Sequence, residues 1–225
     1  MARIVVIVPA AGSGSRFGGD IPKQFQPLAG KPIVQHVVER FLLHDDVLRV
    51  IVPVTEQLLT VVAQGAGDRV HFVAGGETRQ ESVINAFRAA GDDFDLVAVH
   101  DAVRPFFSDA TFRAALAAAE EVGAALPGIA VNDTVHTTRD GFLDLTLDRN
   151  SLVLAQTPQC FRREVLRDVL DRAARDDEEG TDEAGLAARY GLKVKVVPGD
   201  SINFKITRPD DLAMAEAILA KWGSA

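Results

Sequence analysis

The sequence is poor in cysteine, and its histidines are not grouped. Cys160 is the only cysteine among 225 residues, which excludes an intrachain disulfide and a metal site built from several cysteines. The five histidines have no spacing that would place two of them on one face of a helix, so the sequence offers no obvious cage for zinc. These absences leave carboxylates as the ligands to look for, and with them a hard cation.

Positive charge and long apolar runs are also scarce. Lys and Arg total 24 against 32 Asp and Glu, a net charge of −8, which argues against a nucleic-acid-binding surface because backbone phosphates require clustered cations. No apolar run approaches the roughly 20 residues of a membrane helix, and the short run Ile4–Val8 after Arg3 does not resemble a signal peptide. We therefore expect a cytoplasmic protein whose partners include neither nucleic acid nor membrane.

β-branched runs alternate with helical periodicity along most of the chain. Ile4–Val8 and Val47–Val54 are typical of strands buried on both faces of a parallel sheet, and the apolar residues between Lys31 and His44 recur at helical spacing. This alternation predicts an α/β fold, and the length suits a single domain over 1–225. Further predicted elements are strands over 70–73, 95–100 and 193–197, helices over 55–64, 80–90, 108–122, 162–173 and 182–190, and a last helix from Pro209.

A hairpin interrupts this alternation. The segment from Thr134 to Arg149 alternates around Asp140-Gly141, which is a strong signal for a tight turn. Two isolated strands are only marginally stable in water, so we expect the apolar side chains of this hairpin to pack on another surface, and we favour a second subunit. We predict an arm over 132–155 through which the chain forms a homodimer. The apolar side chains concerned are Phe142, Leu143, Leu145 and Leu147.

The loop after the first strand, Pro9–Lys23, is rich in glycine but fits neither common phosphate motif. Phe17 stands where the dinucleotide fingerprint needs its third glycine, and Asp20 stands where the triphosphatase loop needs lysine. The loop could be a surface turn. We favour a phosphate-binding loop, because its backbone N–H groups can wrap phosphates while Arg16 and Lys23 supply positive charge.

The same loop, Ala10-Ala11-Gly12-x-Gly14-x-Arg16-Phe17-Gly18 with Pro22-Lys23, resembles the signature of sugar-phosphate nucleotidyltransferases. An ordered set of later motifs is similar to the narrower family of 2-C-methyl-D-erythritol 4-phosphate cytidylyltransferases and extends the resemblance over essentially the whole chain. It implies a three-layer, mostly parallel Rossmann-like nucleotidyltransferase sheet with a protruding β-hairpin arm. The later motifs are Gly75–Val83, Val99–Pro105, Asp148–Asn150, Thr157–Gln159, Thr181–Ala184 and Asn203–Pro209.

The resemblance implies the transfer of CMP from CTP to 2-C-methyl-D-erythritol 4-phosphate, with release of pyrophosphate, in non-mevalonate isoprenoid precursor synthesis. CTP would be the co-substrate, and Mg²⁺ or another divalent cation would bind Asp101. Arg16 and Lys23 would stabilise the transition state, while Arg149 and Lys205 would position the acceptor. The implied nucleotide-binding residues are Pro9, Ala10, Ala11, Gly12, Gly14, Gly76, Glu77, Ser82, Asp101 and Ala102, and the implied acceptor-binding residues are Arg104, Thr134, Arg149, Thr157, Thr181, Asp182 and Lys205.

Elementary chemistry supports part of this assignment. Asp101 ends a buried run, at the carboxyl end of a strand where a metal on a triphosphate needs a carboxylate, although a helix cap or a turn is the alternative. The acceptor phosphate is already ionised at pH 7, so alignment and cations suffice and no general base is needed. His100 could be a metal ligand, but we favour a structural role. Glu77 departs from the aspartate common in relatives, which affects the expected contacts with the base.

Three other functions compete with this prediction. A cytidylyltransferase for another polyol phosphate, such as ribitol 5-phosphate, would share the triphosphate motifs and differ only on the acceptor side. A nucleotide-dependent oxidoreductase is disfavoured by the broken dinucleotide fingerprint. A non-catalytic CTP sensor is opposed by the joint presence of Lys23, Asp101 and Lys205, and pyrophosphate release would separate sensor from enzyme.

Overall fold

The computed structural model describes residues 2–12, 21–62 and 67–222, and within them a mixed eight-stranded sheet is covered by helices. The strands are β1 Ile4–Ile7, β2 Pro27–Leu28, β3 Lys31–Pro32, β4 Val47–Val54, β5 Val70–Ala74, β6 Leu96–Val99, β7 Ala124–Ala130, β8 Val135–Arg139, β9 Phe142–Leu147, β10 Val153–Ala155, β11 Gln159–Arg162 and β12 Lys195–Pro198. The helices are α1 Ile33–Leu42, α2 Glu56–Val62, α3 Arg79–Ala89, α4 Asp109–Val122, α5 Arg163–Asp176, α6 Glu183–Arg189 and α7 Pro209–Trp222.

The main sheet is mostly parallel. From one edge, β5, β4, β1 and β6 pair in parallel, and β12 pairs in parallel with β7. β11 lies between β6 and β7 and runs antiparallel to both, and β10 pairs antiparallel with the far end of β7. The predicted mostly parallel α/β sheet is confirmed.

The core lies on both faces of the sheet, which gives three layers. Ile4 and Val6 belong to the cluster that also contains most of the buried side chains of α1 and α4. Val5 and Ile7 belong to the opposite cluster, with the buried side chains of α3, α5 and α6. Because every residue of β1 is buried, its sequence is a continuous β-branched run instead of an alternating one.

The predicted hairpin is present as β8 and β9, which pair only with each other among the described strands. Its turn residues Asp140 and Gly141 have φ values of 52° and 84°, the positive values that a two-residue hairpin turn requires. All of β9 is exposed, with Phe142 at 77% and Leu143 at 72%. The role of this arm in dimerisation, and the single domain over 1–225, stay predictions.

Three strands of the main sheet, β7, β10 and β11, are absent from the sequence-based prediction. β10 and β11 have only three and four residues, and neither shows the length or alternation that identifies a strand locally. Their pairing with β6 and β7 decides their conformation. Within the described ranges, no helix is long and apolar enough to cross a bilayer.

Candidate active site

A cavity of about 320 Å³ opens where the loops after β1, β5 and β6 meet. These strands belong to the parallel part of the sheet, so their carboxyl ends share one edge, where α/β proteins bind ligands. The cavity is lined by Pro9, Ala11, Gly12, Lys23, Gln24, Gly76, Glu77, Thr78, Arg79, Ser82, Asp101, Ala102, Val103 and Lys205.

Asp101 is a buried carboxylate in the cavity wall, 8% exposed. Its Oδ2 accepts a hydrogen bond from Arg104 Nε at 3.1 Å and lies 3.0 Å from Lys205 Nζ. Arg79 Nε lies 3.8 Å from Oδ1. Burial alone would raise the pKa of Asp101, but the attraction of Lys205, Arg79 and Arg104 outweighs it and holds the pKa well below its ordinary value. The carboxylate is therefore ionised and surrounded by positive charge.

The residues behind Asp101 hold its backbone in place. Asp101 N donates to Thr157 Oγ1 at 3.1 Å, and the same hydroxyl lies 3.0 Å from His100 Nδ1. His100 Nε2 lies 2.9 Å from the carbonyl oxygen of Arg104. Burial lowers the pKa of His100 to about 4. His100 is thus a neutral structural residue with both ring nitrogens engaged, as its favoured interpretation predicts.

The side chain of Gln24 holds the start of the glycine loop in place through hydrogen bonds. Its side chain is buried, and Nε2 donates to the carbonyl oxygens of Ala10 at 2.6 Å and Gly12 at 2.8 Å. Gln24 belongs to the short 3-10 turn Lys23–Phe25, so the same turn that presents Lys23 to the cavity also ties down the start of the loop.

The loop 75–78 forms a second wall of the cavity. Gly76 N donates to Ser82 Oγ at 3.0 Å, and that hydroxyl donates to Thr78 O at 3.0 Å. α3 begins with a capping box in which Glu81 N donates to Thr78 Oγ1 and Thr78 N donates to the Glu81 carboxylate. A Cβ at Gly76 would lie 2.2 Å from Glu81 Cβ, so the compact turn requires glycine there.

The structure brings most of the predicted nucleotide site together and leaves most of the acceptor site apart from it. Ala10 is buried behind the cavity wall, Arg104 bonds to Asp101 without lining the cavity, and Thr157 supports Asp101 from behind. Gly14 and Arg16 lie outside the described residues. Predicted residues that line the cavity are Pro9, Ala11, Gly12, Lys23, Gly76, Glu77, Ser82, Asp101, Ala102 and Lys205, whereas Thr134, Arg149, Thr181 and Asp182 do not line it.

Sequence reasoning missed several members of the site. Arg79 lines the cavity and forms an ion pair with the buried Glu183, while Gln24, Thr78 and Val103 complete the lining. Arg79 and Thr78 stand inside the motif Gly75–Val83, so their position gave a usable signal. Glu183 also stands inside a motif, Thr181–Ala184, but no local pattern indicated its pairing with Arg79, which lies 104 residues away along the chain.

Comparison with known proteins identifies the family to which the chain belongs. The family model IspD, described as 2-C-methyl-D-erythritol 4-phosphate cytidylyltransferase, matches residues 4–221. The chain belongs to this family. A cytidylyltransferase of this name from Solibacter usitatus is 42% identical over 233 residues, which cover 96% of each protein.

Solved structures of 2-C-methyl-D-erythritol 4-phosphate cytidylyltransferases have the same fold. The enzyme from Thermus thermophilus matches with a TM-score of 0.80 and 32% identity, over 97% of this chain and 98% of that one. The enzyme from Francisella tularensis matches with a TM-score of 0.85 and 29% identity, over 96% and 99%. The chain described here is therefore a cytidylyltransferase, a kind of nucleotidyltransferase.

Proposed function

We propose that this cytidylyltransferase binds CTP in the cavity around Asp101 and transfers CMP to 2-C-methyl-D-erythritol 4-phosphate. The product is 4-diphosphocytidyl-2-C-methyl-D-erythritol, an isoprenoid precursor, and pyrophosphate leaves. The observation that carries the proposal is one cavity lined by Lys23, Arg79 and Lys205 together with Asp101. Cations fixed around a cavity suit a polyphosphate, whose charge they can neutralise in the ground state and in the transition state.

The chemistry needs little beyond alignment and positive charge. An oxygen of the acceptor phosphate attacks the α-phosphorus of CTP, the bond from that phosphorus to the bridging oxygen breaks, and pyrophosphate takes the electron pair. The acceptor monoester is mostly dianionic at pH 7, since its second pKa is about 6. In this proposal Lys23 and Arg16 stabilise the negative charge that builds up on the transferring phosphoryl group, and Lys205 holds the acceptor phosphate.

In this proposal Asp101 is the residue that would hold a divalent cation. Its carboxylate is ionised and faces the cavity, and the described residues contain no cluster of three acidic, histidine or cysteine ligands. Mg²⁺ typically binds one or two carboxylates and takes its remaining ligands from phosphates and water. Asp101 would hold such a cation, which would neutralise phosphate charge.

The arm would complete the acceptor side of the site from a second copy of the chain. Thr134 and Arg149 are exposed at its base, where Arg149 Nη1 donates to the Asn132 carbonyl at 2.7 Å. In addition to the apolar side chains of β9, Val153 and Leu154 of β10 are exposed. An apolar surface of this kind favours contact with another protein. We place this homodimer in the cytoplasm, as the single buried cysteine suits a reducing compartment.

Pyrophosphate release tests the proposal. The purified chain is incubated with CTP and Mg²⁺ together with methylerythritol phosphate, ribitol 5-phosphate or no acceptor. We expect rapid release only with methylerythritol phosphate. A preference for ribitol 5-phosphate would mean that the chain catalyses the proposed reaction on a different acceptor. No release of pyrophosphate with either acceptor would overturn the proposal.

A further inference from the structure

Arg79 is the first residue of α3 and lines the cavity. Its side chain is 30% exposed, and its Nε lies 3.8 Å from Asp101 Oδ1. Arg79 therefore stands between the loop 75–78 and the carboxylate of Asp101. This is a position from which a cation can reach a ligand in the cavity.

Glu183 holds the guanidinium of Arg79 from behind. Arg79 Nη1 donates to both carboxylate oxygens of Glu183, at 2.7 and 3.0 Å. The Glu183 side chain is only 1% exposed. Burial alone would lower the pKa of Arg79, but the attraction of Glu183 and Asp101 outweighs it and raises the pKa. The arginine therefore keeps its charge.

Glu183 is itself placed by a buried amide. Gln159 at the start of β11 is 1% exposed, and its Nε2 donates to Asp182 Oδ2 at 2.8 Å. Ala184 N donates to Gln159 Oε1 at 3.0 Å. These two bonds flank Glu183 on both sides in sequence, so the first turn of α6 is fixed relative to the main sheet. The carboxylate of Glu183 that pairs with Arg79 is fixed in position as a result.

The contacts of Arg79 leave donors for a ligand. The hydrogen bonds to Glu183 use Nη1, and the approach to Asp101 uses Nε. In the part of the chain that the structure describes, Nη2 has no hydrogen-bond partner. A guanidinium is a planar fork suited to phosphate, and here one branch is occupied by a buried carboxylate while the residue borders the cavity.

We propose that Arg79 binds a phosphate oxygen of a substrate and that Glu183 is its positioning residue. The assignment rests on the proposed function, which places two phosphate sources in the cavity, the triphosphate of CTP and the monoester of the acceptor. Arg79 neutralises the buried carboxylate of Glu183 and is also part of the cavity wall, where a ligand can contact it.

The test compares Arg79→Gln and Glu183→Gln with Asp46→Asn, a matched control. Asp46 forms a comparable ion pair with Arg113 but does not line the cavity. Calorimetry gives the Kd of CTP with Mg²⁺ and the Kd of methylerythritol phosphate, and steady-state assays separate KM from kcat. Near-UV circular dichroism reports whether each variant is folded.

We expect Arg79→Gln to weaken one of the two ligands about 10- to 100-fold, the usual range for a hydrogen bond to a charged group. Glu183→Gln should weaken the same ligand by about 5- to 10-fold through loss of positioning, and Asp46→Asn should weaken neither. A change in the Kd of CTP identifies the triphosphate as the source, and a change in the Kd or KM of the acceptor identifies its monoester.

The assignment is overturned if folded Arg79→Gln binds both ligands within about twofold of the wild type, or if Glu183→Gln lowers thermal stability alone. Should Glu183→Gln not fold, Arg79→Lys carries the test, since one ammonium group cannot replace both branches of the fork and should weaken the same ligand about tenfold. Wild-type turnover is scored separately. Its absence would refute the proposed function, while the Kd values would still decide the role of Arg79.

Discussion

The cavity and the arm both depart from the usual rule that charged side chains are exposed and apolar side chains are buried, but they depart from it in different ways. At the cavity, charge is buried, with Asp101 in the wall at 8% exposure and the side chain of Glu183, behind Arg79, at 1%. On the arm, apolar side chains are exposed, with Phe142 at 77% and Leu145 at 61%. Each region would be costly in isolation, because a buried charge loses its hydration and an exposed apolar surface orders water.

The two regions differ in what offsets the cost of burying charge or exposing apolar surface. The buried charges find partners within the chain, as Asp101 does with Lys205 and Arg104. The apolar side chains of the arm find no such cover among the described residues. A site that binds an anion must keep its cations fixed before the ligand arrives, whereas an assembly surface is completed only by its partner. The following changes test that contrast.

The largest effect is expected on the arm. Combining Phe142→Asp with Leu145→Asp should raise the Kd of a homodimer by at least about 1,000-fold, because two carboxylates would be buried at the contact. Sedimentation equilibrium measures the change. Leu43→Asp is the control, as Leu43 is 79% exposed but lies outside the arm. A wild-type chain that sediments as a monomer, or an equally strong effect of Leu43→Asp, would contradict the role of the arm.

On the buried side, His100 should make stability depend on pH. Its pKa falls from 6.5 to about 4 on folding, so the unfolded chain binds the proton more readily. The contribution of neutral His100 is present above about pH 6.5 and is lost as the pH falls toward 4, by about 3 kcal/mol. Urea unfolding at several pH values measures it. His100→Gln should make the free energy of unfolding depend less on pH between about 4 and 6.5. A variant with the same pH dependence as the wild type would show that His100 is not its cause.

Lys23→Ala should reduce kcat on the order of 100-fold, because a fixed cation beside the transferring phosphoryl group is removed. Pyrophosphate release under saturating CTP measures the loss. Lys31→Ala is the matched control, since Lys31 forms an exposed ion pair with Glu39 and does not line the cavity. Equal turnover in the two variants would remove Lys23 from the mechanism.

The smallest effect is expected for an ion pair on the arm. Arg139 and Asp144 lie 3.7 Å apart, and Arg139 is 79% exposed. Asp144→Asn should change the free energy of unfolding by less than about 0.5 kcal/mol, as exposed ion pairs are screened by water and salt. Chemical denaturation of the variant checks this. A fall of several kcal/mol in the free energy of unfolding would mean that this exposed ion pair stabilises the fold as strongly as the buried ion pairs of the cavity.

Local signals were sufficient for the elements that position the nucleotide side of the site. β1 is identified by a run of β-branched residues, the turn of the arm by Asp140-Gly141, and Asp101 by its place directly after a buried strand. In each case the physical cause lies within a few neighbouring residues. The geometry of the cavity follows because the carboxyl ends of parallel strands meet at one edge.

The features that escaped prediction depend on residues distant in sequence. β11 becomes a strand because it fits between β6 and β7, and the pairing of Arg79 with Glu183 joins residues 104 positions apart. Thr157 shows the same limit. Its predicted contact with the acceptor stays a prediction, and the hydrogen bond that its hydroxyl accepts from Asp101 N is a supporting role that no local pattern could reveal.

The arm begins and ends on one hydrogen-bonded stem. β7 leaves the sheet and β10 returns to it in antiparallel register, with Ala130 opposite Val153 and Gly128 opposite Ala155. Because paired residues on such strands lie only about 5 Å apart, a tight turn could bridge the stem in place of residues 131–152. The arm is therefore an exchangeable insert. If the proposed homodimer forms through the arm, grafting another chain's arm onto this stem would alter which subunits recognise each other while the strands beneath keep their pairing.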